Sequence, residues 1–193
     1  MTFRLLDLFC GLGGWTDGFL AEGFEADGID SARIVAPHYR GNLILQDILT
    51  VDGRMLRGKY DVIVGSPPCR DFSKSTWFGK VTWKRPPDPE SSLSLVHKFI
   101  EIVGDARPEI WLMENVPQLQ NYLDLKPEVV ARLTPTMVRA FWGSFPPFLI
   151  PVTGRVQLER IGGGRLRSWN RARIPLPVAR AFARACRERL EGG

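Results

Sequence analysis

The chain has 193 residues, a formal net charge of +5, and 44% hydrophobic against 24% charged residues, the profile of one soluble domain with an ample core. No apolar run approaches the roughly 18 residues a membrane span needs, and Asp7 interrupts the apolar start that a secretion signal requires. Three scattered cysteines and two histidines, without paired spacing, exclude a disulfide framework and a zinc site and predict a reducing, cytoplasmic setting.

In chain order, Phe3 to Phe9 reads as a buried strand running into the turn Cys10-Gly11-Leu12-Gly13-Gly14. Trp15 to Glu22 follows as a helix closed by Gly23, then a strand from Glu25 to Ile29 ending at Asp30. Leu43 to Leu45 is a short strand ending near Asp47, and Tyr60 to Val64 a further strand ending in Gly65-Ser66-Pro67-Pro68-Cys69-Arg70-Asp71-Phe72-Ser73. The stretch up to Ser92 is rich in Gly, Pro, Lys and Arg, and a loop of that length in a compact domain is usually functional. Ser91 or Ser92 can cap the next helix, whose apolar positions Leu95, Val96, Phe99, Ile100 and Val103 follow the 3.6 period.

Ile110 to Met113 is a strand ending in Glu114-Asn115-Val116. Beyond it, Lys126 to Leu133 reads as a helix, Met137 to Trp142 and Phe148 to Val152 as strands, and Pro175 opens a last helix through Leu190. Strands alternating with helices predict an α/β fold, a mostly parallel central sheet covered on both faces. In such a sheet the carboxyl ends of the strands form the binding crevice. A glycine turn, a thiol and a carboxylate are placed on that edge.

The three strand-end segments, D-L-F-C-G-x-G-G at Asp7 to Gly14, P-C at Pro68-Cys69 and E-N-V at Glu114 to Val116, resemble in this order the motifs of the DNA cytosine-5 methyltransferases. With the tail Ile174-Pro175-Leu176-Pro177-Val178-Ala179, the resemblance extends from residue 3 to about 185. It implies a Rossmann-like, S-adenosylmethionine-dependent methyltransferase fold, with S-adenosylhomocysteine as product and DNA as substrate. The glycine spacing itself is neither G-x-G-x-x-G, since Thr16 or Asp17 takes the third place, nor a P-loop.

By that resemblance Phe9 lies against the adenine, the amides from Cys10 through Gly11, Leu12, Gly13 and Gly14 meet the methionine portion, and Asp30 takes the ribose hydroxyls. Asp47 and Ile48 are implied at the adenine, and Pro68 beside the cofactor. Cytosine carbon 5 becomes nucleophilic only after something adds to carbon 6, and a thiolate can do so. Cys69 is the cysteine so placed, and it needs a lowered pKa or a nearby base. Glu114 is implied to contact N3 and the amino group of the base as the acid, a task that suits a partly buried carboxyl. Asn115 is expected to brace the Cys69 loop, with Ser66, Arg70, Ser73 and Val116 around the substrate.

The pattern also breaks. Arg70 stands where the family usually has Gln, and no Q-x-R-x-R segment follows the later strands, although the pairs Arg165/Arg167 and Arg171/Arg173 have its internal spacing. Only 58 residues separate Asn115 from Ile174, leaving no room for a separate target-recognition domain, so residues 1–193 read as a single catalytic domain. Recognition then falls to the 74–90 loop, to the basic tail or to a protein partner. From Gly154 onward ten arginines face three glutamates, a net +7 that leaves −2 for the remainder, the footprint of a polyanion-binding end. Two alternatives stay open: the same chemistry on a free cytosine nucleotide, and a non-catalytic binding or regulatory subunit.

Overall fold

The computed structural model describes residues 2–72, 88–151 and 164–192. Seven strands form one sheet in the order β3-β2-β1-β4-β5-β7-β6, with β1 Arg4–Leu8, β2 Glu25–Asp30, β3 Asn42–Leu45, β4 Val62–Gly65, β5 Ile110–Asn115, β6 Val129–Thr134 and β7 Met137–Ser144. The first five strands pair in parallel. β7 runs antiparallel to both β5 and β6. Among the described residues the helices are α1 Gly14–Ala21, α2 Pro89–Ala106, α3 Arg167–Ala172 and α4 Leu176–Gly192. The chain moves outward from β1 to β3 and then returns to β4, so the strand order reverses between β1 and β4. That reversal opens a crevice at their carboxyl ends.

Period-two alternation divides the core between the two faces of the sheet. Leu5, Val62, Val64, Ile110 and Leu112 pack with Trp15, Phe19, Val178, Phe182 and Cys186 of α1 and α4. Leu6, Leu8, Ile63 and Met113 pack on the opposite side with Val96, Phe99 and Ile102 of α2. α1 and α4 approach closely at Gly18, where a Cβ would stand 2.4 Å from the Ala179 Cβ and 2.5 Å from its carbonyl carbon. Backbone on the far side cannot yield as a flexible side chain can. Gly18→Ala is therefore expected to destabilise the fold by about 3 kcal/mol, the upper end for overpacking, read as a lower urea midpoint at unchanged slope.

Three expectations are corrected. Val129–Thr134 is an edge strand and not part of a helix: the β-branched pair Val129-Val130 disfavours helix, and the turn at Pro135-Thr136 folds the segment onto β7. The described part of the expected last strand, 148–151, carries no strand. Pro146, Pro147 and Pro151 lack the N–H a ladder needs, and the Phe148 ring packs 5.0 Å from that of Phe182 instead. Finally, α2 is capped by Asp88, whose side chain accepts from Ser91 N, with Pro89 opening the helix. Ser91 and Ser92 lie inside it, and residues 73–87 of the expected loop lie outside the described residues.

Candidate active site

The turn after β1 takes left-handed backbone at three alternate residues, Phe9 (φ 59°), Gly11 (φ 52°) and Gly13 (φ 73°). Phe9 is the one that is not glycine, so its conformation is held by its surroundings. Its half-buried ring packs on the α2 side of the core. Gly13 N–H donates to the Cys10 carbonyl at 2.8 Å, and Cys10 N–H to the Ile29 carbonyl at 3.2 Å. Asp30, at the end of β2, accepts from Gly11 N–H at 2.9 Å and Ala32 N–H at 2.8 Å. This carboxylate therefore fixes the glycine turn to the neighbouring strand. Leu12 is buried with Val35 and Leu166, and a Cβ at Gly11 would lie 3.2 Å from the Trp169 ring of α3. Gly14 opens α1.

Beneath the turn lies a buried polar chain. Thr16 Oγ1 donates to Asp7 Oδ2 at 2.8 Å and shares a 2.7 Å hydrogen bond with the Tyr39 hydroxyl. Complete burial pushes the Asp7 carboxyl up to about 7, against the opposing Thr16 hydrogen bond. Burial also pushes the Cys10 thiol far up, with Asp7 and Asp30 adding to it, which makes Cys10 inert as a nucleophile. Asp47 is exposed and caps the short helical turn Ile48–Thr50 by accepting from Leu49 N–H at 3.0 Å, while Ile48 is buried.

Across the crevice, β4 delivers Ser66 to Phe72. Ser66 Oγ accepts from the Trp15 indole N–H at 3.2 Å, which joins this loop to α1. Asn115 Nδ2 donates to the Pro67 carbonyl at 3.0 Å, and its Oδ1 accepts from Val116 N–H at 2.9 Å. Pro68 and Arg70 are exposed, Val116 is buried, and Ser73 lies outside the described residues. Cys69 is half-buried. Removal from water pushes its thiol up, the Glu114 carboxylate adds to the rise, and the Arg139 guanidinium opposes it.

Glu114 is the penultimate residue of β5 and is buried in an ion pair with Arg139 Nε. The sequence reading has no place for this arginine. Because β7 runs antiparallel, its amino-terminal part lies beside the carboxyl end of β5, with Asn115 opposite Ala140. A charged residue on the same strand face as buried Met137 and Phe141 was the available signal. The other arginines stand elsewhere. Arg165 and Arg167 are exposed at the start of the α3 region, and Arg173 pairs with Asp17 at 2.7 Å.

The profile of the family described as C-5 cytosine-specific DNA methylase matches residues 3–131. The chain belongs to that family. Among curated relatives, it is 33% identical over 132 residues to the type II methylase M.HgiDII of Herpetosiphon aurantiacus, covering 63% of this chain and 35% of that protein. It is 35% identical over 133 residues to the type II methyltransferase M1.HphI of Haemophilus parahaemolyticus, covering 62% and 34%. The chain thus spans about a third of the length of the curated relatives it matches. The solved structure of the Entamoeba histolytica methyltransferase EhMeth shares the fold, with a TM-score of 0.53 at 13% identity over 83% of this chain and 58% of that one. The central sheet with helices on both faces is accordingly the Rossmann-like methyltransferase fold. Among the described residues no helix is long and apolar enough to cross a membrane.

Proposed function

We propose that this chain transfers a methyl group to carbon 5 of cytosine in DNA through a covalent adduct on Cys69. The observation that carries the reading is the convergence of Cys69 and the buried Glu114–Arg139 pair on the edge of the crevice between β1 and β4. A left-handed turn of bare backbone at Gly11 and Gly13, with the Phe9 ring and the Asp30 carboxylate beside it, fits an adenosyl cofactor with an amino-acid end. Phe9, Cys10 to Gly14, Asp30, Asp47, Ile48 and Pro68 would hold S-adenosylmethionine there, and that group would supply the electrophilic methyl. Three free cysteines suit a reducing cytoplasm.

In this reading the Cys69 sulfur bonds to carbon 6, N3 takes a proton supported by Glu114, and carbon 5 becomes the nucleophile. After transfer the carbon 5 proton leaves to water, the carbon–sulfur bond breaks to return the Cys69 thiolate, and N3 gives its proton back on the Glu114 side. The Glu114 carboxylate raises the Cys69 thiol and the Arg139 guanidinium lowers it, so the pairing of the two limits the cost of forming the thiolate. Ser66, Arg70, Ser73, Asn115 and Val116 would line the base site. Exposed Arg165, Arg167 and Arg171 would meet phosphate, and a protein partner would contribute sequence recognition.

DNA carrying 5-fluorocytosine tests this directly, because fluorine cannot leave as a cation. With cofactor present, the wild-type chain should remain joined to the DNA in denaturant, and Cys69→Ala should form no adduct while retaining cofactor binding. Undiminished methylation by Cys69→Ala would falsify the covalent route. Parallel incubations with labelled cofactor and either duplex DNA or cytidine nucleotides separate DNA from free nucleotide. No label in either would leave a binding or regulatory role.

A further inference from the structure

The turn bearing Cys69 is held on both sides. At its entry Asn115 Nδ2 binds the Pro67 carbonyl at 3.0 Å. At its exit Ser92 Oγ donates to Asp71 Oδ2 at 2.6 Å, a length typical of a hydroxyl on an ionised carboxylate. Both partners are buried, Asp71 at 1% and Ser92 at 4% exposure. Between these anchors Phe72 N–H donates to the Cys69 carbonyl at 3.2 Å, and the buried Phe72 ring packs 5.3 Å from that of Tyr122.

Ser92 is itself well placed. It lies in the first turn of α2, which Asp88 fixes by accepting from Ser91 N–H at 3.1 Å with its side chain and from Ser92 N–H at 3.2 Å with its carbonyl. The positive end of a helix favours a carboxylate nearby. Yet a carboxylate two residues after the thiol also opposes thiolate formation, and Asp71 does act in that direction on Cys69. A buried anion that works against the nucleophile needs a compensating role, and the short bond to Ser92 supplies one.

We infer that Asp71 and Ser92 are a positioning pair that locks the exit of the Cys69 turn to α2, as Asn115 locks its entry, and so fixes the sulfur relative to Glu114 and Arg139. The inference rests on Cys69 being the nucleophile proposed above. It adds a tie between the nucleophile turn and a helix that none of the three sequence motifs contains.

Two variants separate the tie from the charge. Ser92→Ala removes the hydrogen bond and keeps the carboxylate, whereas Asp71→Asn keeps an acceptor for Ser92 and removes the charge. The first readout is the rate and pH dependence of Cys69 alkylation by iodoacetamide, followed by mass spectrometry of the Cys69 peptide, which needs neither cofactor nor DNA. The second is the rate of adduct formation on 5-fluorocytosine DNA with cofactor, beside the dissociation constants of both.

Ser92→Ala should form the adduct roughly tenfold more slowly, the equivalent of one hydrogen bond, at unchanged affinities. Its loosened thiol should be alkylated about threefold faster through local opening, with no change in pH midpoint. Asp71→Asn should keep an adduct rate within about threefold of wild type, since the tie survives. Its alkylation midpoint should move to lower pH, because the Asp71 charge that raises the thiol is gone. A wild-type adduct and alkylation rate in Ser92→Ala would overturn the tie, as would a loss matched by the unfolded fraction in a thermal melt. An unchanged midpoint in Asp71→Asn would overturn the charge assignment. If wild type forms no adduct while both alkylation changes hold, the cytosine-5 reading fails and the positioning of Cys69 stands.

Discussion

Arg139→Ala is expected to lower the stability of the fold and to abolish turnover together. Arg139 and Glu114 are both largely removed from solvent, with side-chain exposures of 13% and 6%. Removing one partner of such a pair leaves an uncompensated buried charge, a loss of about 3–5 kcal/mol. It also removes the cation that opposes the rise of the Cys69 thiol, so less thiolate is present at neutral pH. The double variant Arg139→Met/Glu114→Gln separates these effects. It replaces the pair with groups of similar volume and no net charge, so it should recover most of the stability while remaining unable to form the 5-fluorocytosine adduct. Urea unfolding and the trapping assay on the three proteins provide the comparison. An Arg139→Ala protein with a wild-type unfolding midpoint would show that Glu114 does not depend on this arginine.

Stability is expected to fall as pH rises from about 4 to about 7, through Asp7. Its carboxyl is pushed from 3.8 to about 7 by burial, and Asp30 and Asp17 add to the rise while Thr16 opposes it. Between those two values the folded chain keeps a proton that the unfolded chain has lost. The contribution is therefore fully present below the unfolded pKa and is lost as pH climbs through the folded one, at up to about 1.4 kcal/mol per pH unit. Asp7→Asn keeps an acceptor for Thr16 without the charge, so the difference in unfolding free energy between variant and wild type should widen from pH 5 to pH 8. Parallel pH profiles for the two proteins would remove Asp7 as the source. Because Thr16 and Tyr39 connect Asp7 to the glycine turn, the same titration should weaken cofactor binding toward high pH.

Much of this protein is legible in the sequence because it depends on local order. The left-handed turn at Gly11 and Gly13 follows from residues free of a Cβ penalty. The parallel strands follow from short apolar runs, and the thiol at Cys69 and carboxyl at Glu114 follow from strand ends that a parallel sheet must bring to one edge. Family membership follows from the order of those segments.

What local order could not determine depends on a reversed strand and on contacts between distant residues. Arg139 reaches Glu114 only because β7 runs antiparallel to β5, and a reading that assumes strand ends carry the chemistry overlooks a strand's beginning. Val129–Thr134, expected within a helix over Lys126 to Leu133, became a strand because β7 offers it a hairpin partner. Asp71 and Ser92 are 21 residues apart in sequence, and their bond exists because α2 docks its first turn beside the Cys69 loop. Arg173, one of the tail arginines, is bound to Asp17 on α1. In each case a contact between distant residues, set by how the elements pack, decided the outcome, and no local pattern encodes such a contact.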